Sequence, residues 1–507
     1  METKTRRFGW LRRVSKWLAM AVGCLVVLFA GLMYVRFHDR HPGTSIKVDI
    51  NGHQPARKIT PLRVGFSRAN ISPTADEMST PIWLAGFSNG RAATNIHDDL
   101  WAVACVVDDG NSRIGFVALD AIGFFHDDSL SVRAEVAKST PLDYAVVCST
   151  HNHSTPDLMG LWGKDFLHTG VHPGYRARVI AAAARAMAEA AQKLEPASMA
   201  LYEIPTAPDG LVTDTRRPVV YDPDLRLMLF HRPDGKSVIG SIVAWANHPE
   251  TPWGHNQSIT ADFPGYLRDA LENGIIVDGQ KRMPGLGGTH LYINGAIGGL
   301  MTTSPNVTVR DPFLEQDFKE ASHAKTLALG RNLAKRVLTK VASESAPRIT
   351  EVPFSVHAKT VILPMDNDNF VLAGALGLID RGHTGWRHIR SEVALLEIGE
   401  ASITCIPGEI YPELVNGGVV RAEGGDYDIE PLEVPSIREL VPGRIKFICG
   451  LANDEIGYII PKSEWDEKPP HLFGAKGAPY GEVNSLGPET AHLLHTAIKE
   501  LAAAAKP

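Results

Sequence analysis

A mixed α/β domain carried on one transmembrane helix is the architecture this sequence predicts, and three observations predict it. Trp17–Val35 is a run of 19 residues without an acidic or basic side chain. As a helix it spans about 28 Å, against a hydrocarbon core of roughly 30 Å. Short apolar runs rich in β-branched residues recur from Val64 to Cys449 and read as buried strands. Helical stretches, two of them Ala-rich, alternate with these runs, and hairpins lie among them, which favours a mixed sheet over a doubly wound parallel one.

The totals agree with this class. The chain has 507 residues, 44% hydrophobic and 21% charged, the composition of a globular protein able to bury a large core. A net charge of −6 offers no basic face for nucleic acid, so no nucleic-acid partner is expected. Cys24, Cys105, Cys148, Cys405 and Cys449 form no CxxC pair. The last four sit in strand-like runs and read as buried thiols, with one disulfide as the alternative.

Residues 1–16 form a basic segment, 17–35 an uncleaved signal anchor, 36–61 a polar linker and 62–507 the folded domain. Ala21-Val-Gly-Cys24 resembles a lipoprotein cleavage box but lies midway through the apolar run. Arg6, Arg7, Arg12, Arg13 and Lys16 precede the anchor, against Arg36 and Arg40 after it. That asymmetry keeps the N-terminus cytoplasmic and places the domain in the periplasm or outside the cell. Val64–Asn70 opens the domain as a strand. Trp101–Val107 and Arg113–Leu119 flank Asp108-Asp-Gly-Asn-Ser112, a hairpin signal. Tyr144–Ser149 is the next strand, and Pro173–Leu194 a long helix. Strands at Leu225–His231 and Ser237–Trp245 are joined by Arg232-Pro-Asp-Gly-Lys236. Asp262 caps a helix reaching about Asn273, with Pro264 in its first turn. Thr289–Ile293 is a strand, and Gln316 to about Val341 a second long helix. Strands follow at Val352–His357, Glu392–Ile398, Ser402–Ile406 and Ile445–Cys449. Pro407-Gly-Glu409 opens a short helix, and Pro488–Ala504 closes the domain.

Several of these strands run into chemistry-bearing residues. Tyr144–Ser149 leads into His151 and His153, which on an extended chain point to one side. Ser237–Trp245 leads into Asn247-His-Pro-Glu250, and Ser402–Ile406 into Glu409; Tyr458 follows the strand ending at Cys449. Strand ends gather at one rim of an α/β sheet, where sites tend to lie. A catalytic zinc takes about three protein ligands and keeps a position for water. Each residue also has a plain reading: loop histidines for His151 and His153, a structural turn for His248, a helix-start carboxylate for Glu409 and a core phenol for Tyr458. Asp120 reads as a carboxylate orienting a ligand histidine or as a strand-end turn. Glu250 reads as a proton shuttle or as a turn residue, and His97 as a structural partner of Asp98-Asp99.

Six separated segments are similar, in order, to motifs of the neutral/alkaline (non-lysosomal) ceramidase family. They are Gly90-Arg-Ala-Ala-Thr-Asn-Ile-His-Asp-Asp-Leu-Trp-Ala102, Ser149-Thr-His-Asn-His-Ser-Thr-Pro156, Thr215-Arg-Arg-Pro218, Asn247-His-Pro-Glu250, Pro407-Gly-Glu409 and Gly450-Leu-Ala-Asn-Asp-Glu-Ile-Gly-Tyr-Ile-Ile460. The resemblance spans about residues 62–500. It implies zinc held by His151, His248, Glu409 and Tyr458, with His153 as general base or hydrogen-bond partner of the transition state and Arg216 stabilising the oxyanion. The implied reaction is hydrolysis of an N-acyl amide, ceramide or a similar lipid, to fatty acid and amine. Three departures accompany it. Asn294-Gly-Ala-Ile-Gly-Gly-Leu-Met301 lacks the Asp and Ser of the family's N-x-G-D-x-S-P-N segment, so the substrate need not be ceramide. Thr155 replaces a turn glycine, and Glu455 stands where the family often has another tyrosine. The chain also leaves no room for the C-terminal β-sandwich of secreted members, whose role the membrane anchor would take over. Two other readings stay open: a zinc hydrolase of the same fold for another amide, ester or lactone, and a non-catalytic, envelope-anchored binding protein.

Overall fold

The computed structural model describes residues 3–52, 60–299 and 301–505. Residues 53–59 of the expected linker and Leu300 of the 294–301 segment lie outside them. The elements that position the site run in this order: α1 (Thr3–Phe37), β1 (Lys47–Ile50), β2 (Arg63–Asn70), β3 (Trp101–Asp108), β4 (Arg113–Leu119), α2 (His126–Ala137), β5 (Tyr144–Ser149), α3 (Pro173–Gln192), β6 (Ser198–Ile204), β7 (Leu225–His231), β8 (Val238–Trp245), α4 (Asp262–Asn273), β9 (Thr289–Asn294), α5 (His323–Ser343), β10 (Phe354–Pro364), α6 (Asp368–Leu376), β11 (His388–Ile398), β12 (Ala401–Cys405), β13 (Glu409–Ile410), α7 (Pro412–Asn416), β14 (Ile445–Cys449), β15 (Tyr458–Ile459) and α8 (Thr490–Ala504).

Three sheets share one core. One is ordered β1-β10-β11-β12-β14, the second β9-β8-β7-β6, and the third β5-β4-β3-β2 with a two-residue strand at its edge. Each is mixed: β12–β14, β8–β9 and β4–β5 are parallel pairs among antiparallel neighbours. Inner faces of all three meet, with Phe116 and Val146 against Met228, Phe230 and Leu291, and Leu396 and Ile403 completing the layer. Each such buried side chain contributes about 1.5–3 kcal/mol relative to exposure. Helices cover the outer faces: α3 the third sheet, α4 and α5 the second, α8 the first. The four domain cysteines are buried free thiols, not a disulfide.

Most expected strands match within a residue or two, and the differences have local causes. The helix expected from Gln316 begins at His323, because Asp317–Phe318 pairs with Val309–Arg310 and Ser322 caps the helix through Lys325 N–H. Glu409 does not open a helix. It pairs in parallel with Tyr458, Ile410 pairs with Ile459, and the helix starts at Pro412. Residues 36–50 of the expected linker lie on the domain: Phe37 is buried, Arg40 reaches Asp380 (2.5 Å), Arg390 reaches Asp39 (2.8 Å), and β1 adds to β10. Among the described residues, one helix is long and apolar enough to cross a membrane, over Arg13–Phe37.

Candidate metal centre

The ends of β5, β8, β9, β12 and β14 are tied together by side-chain and backbone hydrogen bonds. Asn294, the last residue of β9, donates through Nδ2 to the carbonyls of Thr150 and Asn247, both at 2.9 Å. Its Oδ1 accepts from Asn247 N–H at 3.2 Å. One buried carboxamide thus fixes the residue before His151 and the residue before His248. Gly450 N–H donates to Asn294 O (2.9 Å), and Gly298 N–H donates to Ile410 O (2.8 Å). A Cβ on Gly298 would lie 2.3 Å from Glu409 O, so only glycine allows this approach. The 294–301 segment therefore holds the site's frame although it lacks the Asp and Ser of the resembled motif.

His151 and His153 do not converge by strand alternation. β5 stops at Ser149, and His151 has a left-handed backbone with φ 66°. A non-glycine residue in that region is strained and persists only where its surroundings hold it. Here Asn152 N–H donates to Ala121 O (3.0 Å), and His151 Nδ1 lies 2.7 Å from Ile122 O. A carbonyl can only accept, so Nδ1 carries the proton and Nε2 presents its lone pair to the site. His248 repeats the device, with Nδ1 2.8 Å from Met301 O. Backbone carbonyls that fix the tautomer of a ligating histidine are the usual second layer of a metal site.

Four donors meet at this point. Glu409 Oε2 lies 2.9 Å from His248 Nε2 and 3.5 Å from His151 Nε2. Tyr458 Oη lies 3.5 Å from His248 Nε2, brought there by the Glu409–Tyr458 pairing. His151, His153 and His248 place one ring nitrogen each within 4.8 Å of one another. All are buried or nearly so. Burial pushes His151 down to about 4 and His153 further below the usual imidazole range, so both are neutral. Burial also disfavours charge on His248, but the hydrogen bond and charge of Glu409 outweigh it and raise the group. Glu409 is raised by burial and lowered more by His151 and His248, for a net fall. His248 Nε2 and Glu409 Oε2, hydrogen-bonded to each other, are both groups that would hold a divalent cation. Two imidazoles that turn Nε2 to one point and one carboxylate are ligands suited to zinc, and the Tyr458 phenol stands beside them.

His153 stands beside this group. Its ring centre is 4.9 Å from that of His151, and its Nδ1 is 3.2 Å from Glu250 Oε2. Glu250 is held in turn by the Thr302 hydroxyl. Arg91 bonds the carbonyl of His153 at 3.2 Å and those of Ala85 and Gly86 at 3.0 Å. Burial without a carboxylate partner lowers Arg91 to about 10.

Two cavities open on the cluster. One is apolar, walled by Ile122, Phe125, Met159, Trp162, Phe370 and Ile379. The other, more polar, is bordered by Thr215, Glu250, Trp253, Thr302 and Ser304. His153, Tyr458 and Tyr480 face both.

Other expected residues sit elsewhere. Asp120 orients no ligand histidine: it binds Arg268 at 2.6 and 2.9 Å and accepts from Trp101 N–H. Arg216 is bound to Glu482 at 2.9 and 3.0 Å and to Glu464 O at 2.9 Å, over the ring of Tyr411. Both terminal nitrogens are engaged there, and the structure does not bring them to the cluster. His97 bonds Asp98 at 2.8 Å and stacks on His323. Asn294, Met301 and Thr302 escaped sequence reasoning, because two act through carbonyl or hydroxyl groups that carry no pattern and the third lies in the segment read as altered. Glu455 lines the apolar cavity; burial and the charge of Glu409 keep its carboxyl well above the usual range.

No family model and no curated protein matches this sequence. Comparison with solved structures finds the neutral ceramidase of Pseudomonas aeruginosa, with a TM-score of 0.63 at 17% identity over 88% of this chain and 75% of that one. A structure of ceramidase complexed with C2 is similar to the same extent, TM-score 0.63 at 16% identity, with the same coverage. The chain has the neutral ceramidase fold.

Proposed function

We propose that this chain, built on the neutral ceramidase fold, is a membrane-anchored, zinc-dependent amidohydrolase that cleaves the N-acyl amide of ceramide or a similar N-acyl lipid. The observation that supports it most is the convergence of His151 Nε2, His248 Nε2 and Glu409 Oε2, with both histidine Nδ1 atoms committed to carbonyls, at the base of an apolar cavity. His151, His248, Glu409 and Tyr458 would hold the ion. When bound, it supplies Lewis acidity and makes a water more acidic. His153 takes the proton of the attacking water, and the Glu250 carboxylate, 3.2 Å from Nδ1, stabilises the charge the ring acquires. The same pair then returns the proton to the leaving amine. The apolar cavity receives the acyl chain and the polar one the amine-bearing portion. Arg216 braces the turn that carries Tyr480, through Glu482.

The α1 helix would anchor the domain, with the site on the periplasmic or outer face. The changed 294–301 segment favours a second reading, in which the same site hydrolyses another amide, an ester or a lactone. A substrate panel on the detergent-solubilised full chain separates these. Release of fatty acid from a fluorescent N-acylsphingosine, abolished by a zinc chelator and by His248→Ala, supports the first. Turnover confined to esters or lactones supports the second. A zinc-loaded protein inert toward the whole panel would leave the chain a binding protein.

A further inference from the structure

The end of α1 is bolted to the wall of the apolar cavity. α1 packs on α6, with the Phe37 ring against Gly374, and Met33, Phe370, Val371 and Ala375 border the core cluster that Phe37 enters. The Phe37 ring lies 5.1 Å from Trp386, and Arg36 sits against Gly377, the residue that ends α6. Asp39 and Arg40 then form ion pairs with Arg390, Asp127 and Asp380, and His41 Nε2 lies 3.6 Å from Asp127. Among the described residues no free tether separates the anchor from the domain, so the direction of α1 sets the face turned to the bilayer.

That face is apolar where it need not be. In α6, Phe370 and Gly374 line the cavity. Leu372 and Leu376, four apart and so on one stripe, are 58% and 50% exposed. Trp386 is 57% exposed, and Phe166 and Leu167 are exposed on the 157–170 loop, which touches Leu378 through Gly160 and Thr169. The spanning stretch has 25 residues, roughly 37 Å of helix against a core of roughly 30 Å. Its last turns, which carry α6, therefore fall at the boundary between acyl chains and headgroups. A short apolar helix with exposed leucines and a neighbouring tryptophan at that level has the composition of an interfacial element.

We propose that α6, with Trp386 and the Phe166-Leu167 tip, seats in the leaflet that α1 enters, so that a lipid substrate passes from the bilayer beneath α6 into the apolar cavity without crossing water. The occupant of this surface is the bilayer itself. The path inward rests on the amidohydrolase reading, and the seating on the proposed membrane anchor.

The test uses the full chain in phosphatidylcholine vesicles. Cys24→Ala removes the exposed thiol and leaves the four buried ones. Leu372→Cys or, as control, Ile276→Cys, exposed on the 275–277 strand, is then labelled with an environment-sensitive fluorophore and exposed to lipid carrying an acyl-chain quencher. Seating requires blue-shifted, quenched emission at 372 and unquenched, water-like emission at 276. Equal, water-like emission at both positions overturns the proposal. Separately, Leu372→Asp with Leu376→Asp lowers hydrolysis of vesicle-embedded N-acyl lipid on the order of tenfold, while turnover of a water-soluble short-chain N-acyl amide is unchanged. Equal loss on both substrates overturns the path beneath α6. A parent protein inert toward every amide would defeat the proposed function and leave the quenching result to decide the seating.

Discussion

Asn294→Ala is the sharpest perturbation of the site's frame. The side chain is fully buried, makes two hydrogen bonds to carbonyls at 2.9 Å and accepts at Oδ1 from Asn247 N–H (3.2 Å), Gly295 N–H (3.1 Å) and Tyr292 O–H (3.3 Å), the last two donors having Trp245 O as a second partner. Alanine leaves the Thr150 and Asn247 groups buried without partners. Each net hydrogen bond contributes about 1 kcal/mol, and a buried group left unpaired costs about 1–3 kcal/mol. Three such losses, partly relieved by water entering the gap, sum to about 3–5 kcal/mol. The same bonds set the residues preceding His151 and His248, so the affinity of the proposed zinc site should fall about 10–100-fold, as for other groups that orient metal ligands. Asn294→Asp keeps the acceptor but turns a buried carboxylate oxygen toward two carbonyls, so it should cost at least as much as alanine. Denaturant unfolding of the solubilised full chain gives the first quantity and chelator competition the second. Stability within about 0.5 kcal/mol of wild type, with unchanged zinc affinity, would refute the reasoning.

Other substitutions probe single contacts. Gly298→Ala drives a Cβ to 2.3 Å from Glu409 O, so zinc affinity should drop while far-ultraviolet circular dichroism stays native; a variant that binds zinc as wild type does would show the approach to be unimportant. Glu250→Gln should keep the metal and lower kcat about 10²–10⁴-fold, the range of a general acid–base contribution; undiminished turnover would remove the His153–Glu250 pair from the chemistry. Asp120→Ala leaves Arg268 buried and unpaired and should cost about 3–5 kcal/mol, with zinc affinity unmoved. A loss of zinc instead would restore Asp120 as a carboxylate serving the ligands.

Local pattern carried much of the fold. Tyr144–Ser149, Arg113–Leu119 and Leu225–His231 are apolar runs between turn residues, and they are strands over those spans. β6 has a similar composition but no turn cluster immediately before it, so Ser198–Ile204 gave no comparable boundary. α2 was invisible because His126–Ala137 shows little helical segregation of its apolar residues, its helix being held by Asp454 accepting from His126 N–H. β1 is a strand only because β10 lies beside it. The cluster itself followed from ordered motifs, since His151, His153, His248, Glu409 and Tyr458 do meet. What failed was inference about partners remote in sequence. Arg216 meets Glu482 and Asp120 meets Arg268 across 266 and 148 positions, and no spacing rule reaches that far. The geometry of His151 was also out of reach, because a left-handed turn, not strand alternation, aims its ring.

The most direct test of the metal-dependent reading is reconstitution. The solubilised full chain is stripped of metal and titrated with zinc while bound zinc and hydrolysis of an N-acyl lipid are measured together. The account expects activity to rise in proportion to bound zinc, to saturate near one ion per chain, and to be absent in Glu409→Ala, which loses the shared carboxylate. Full activity in the stripped protein, or none at full occupancy, would contradict it.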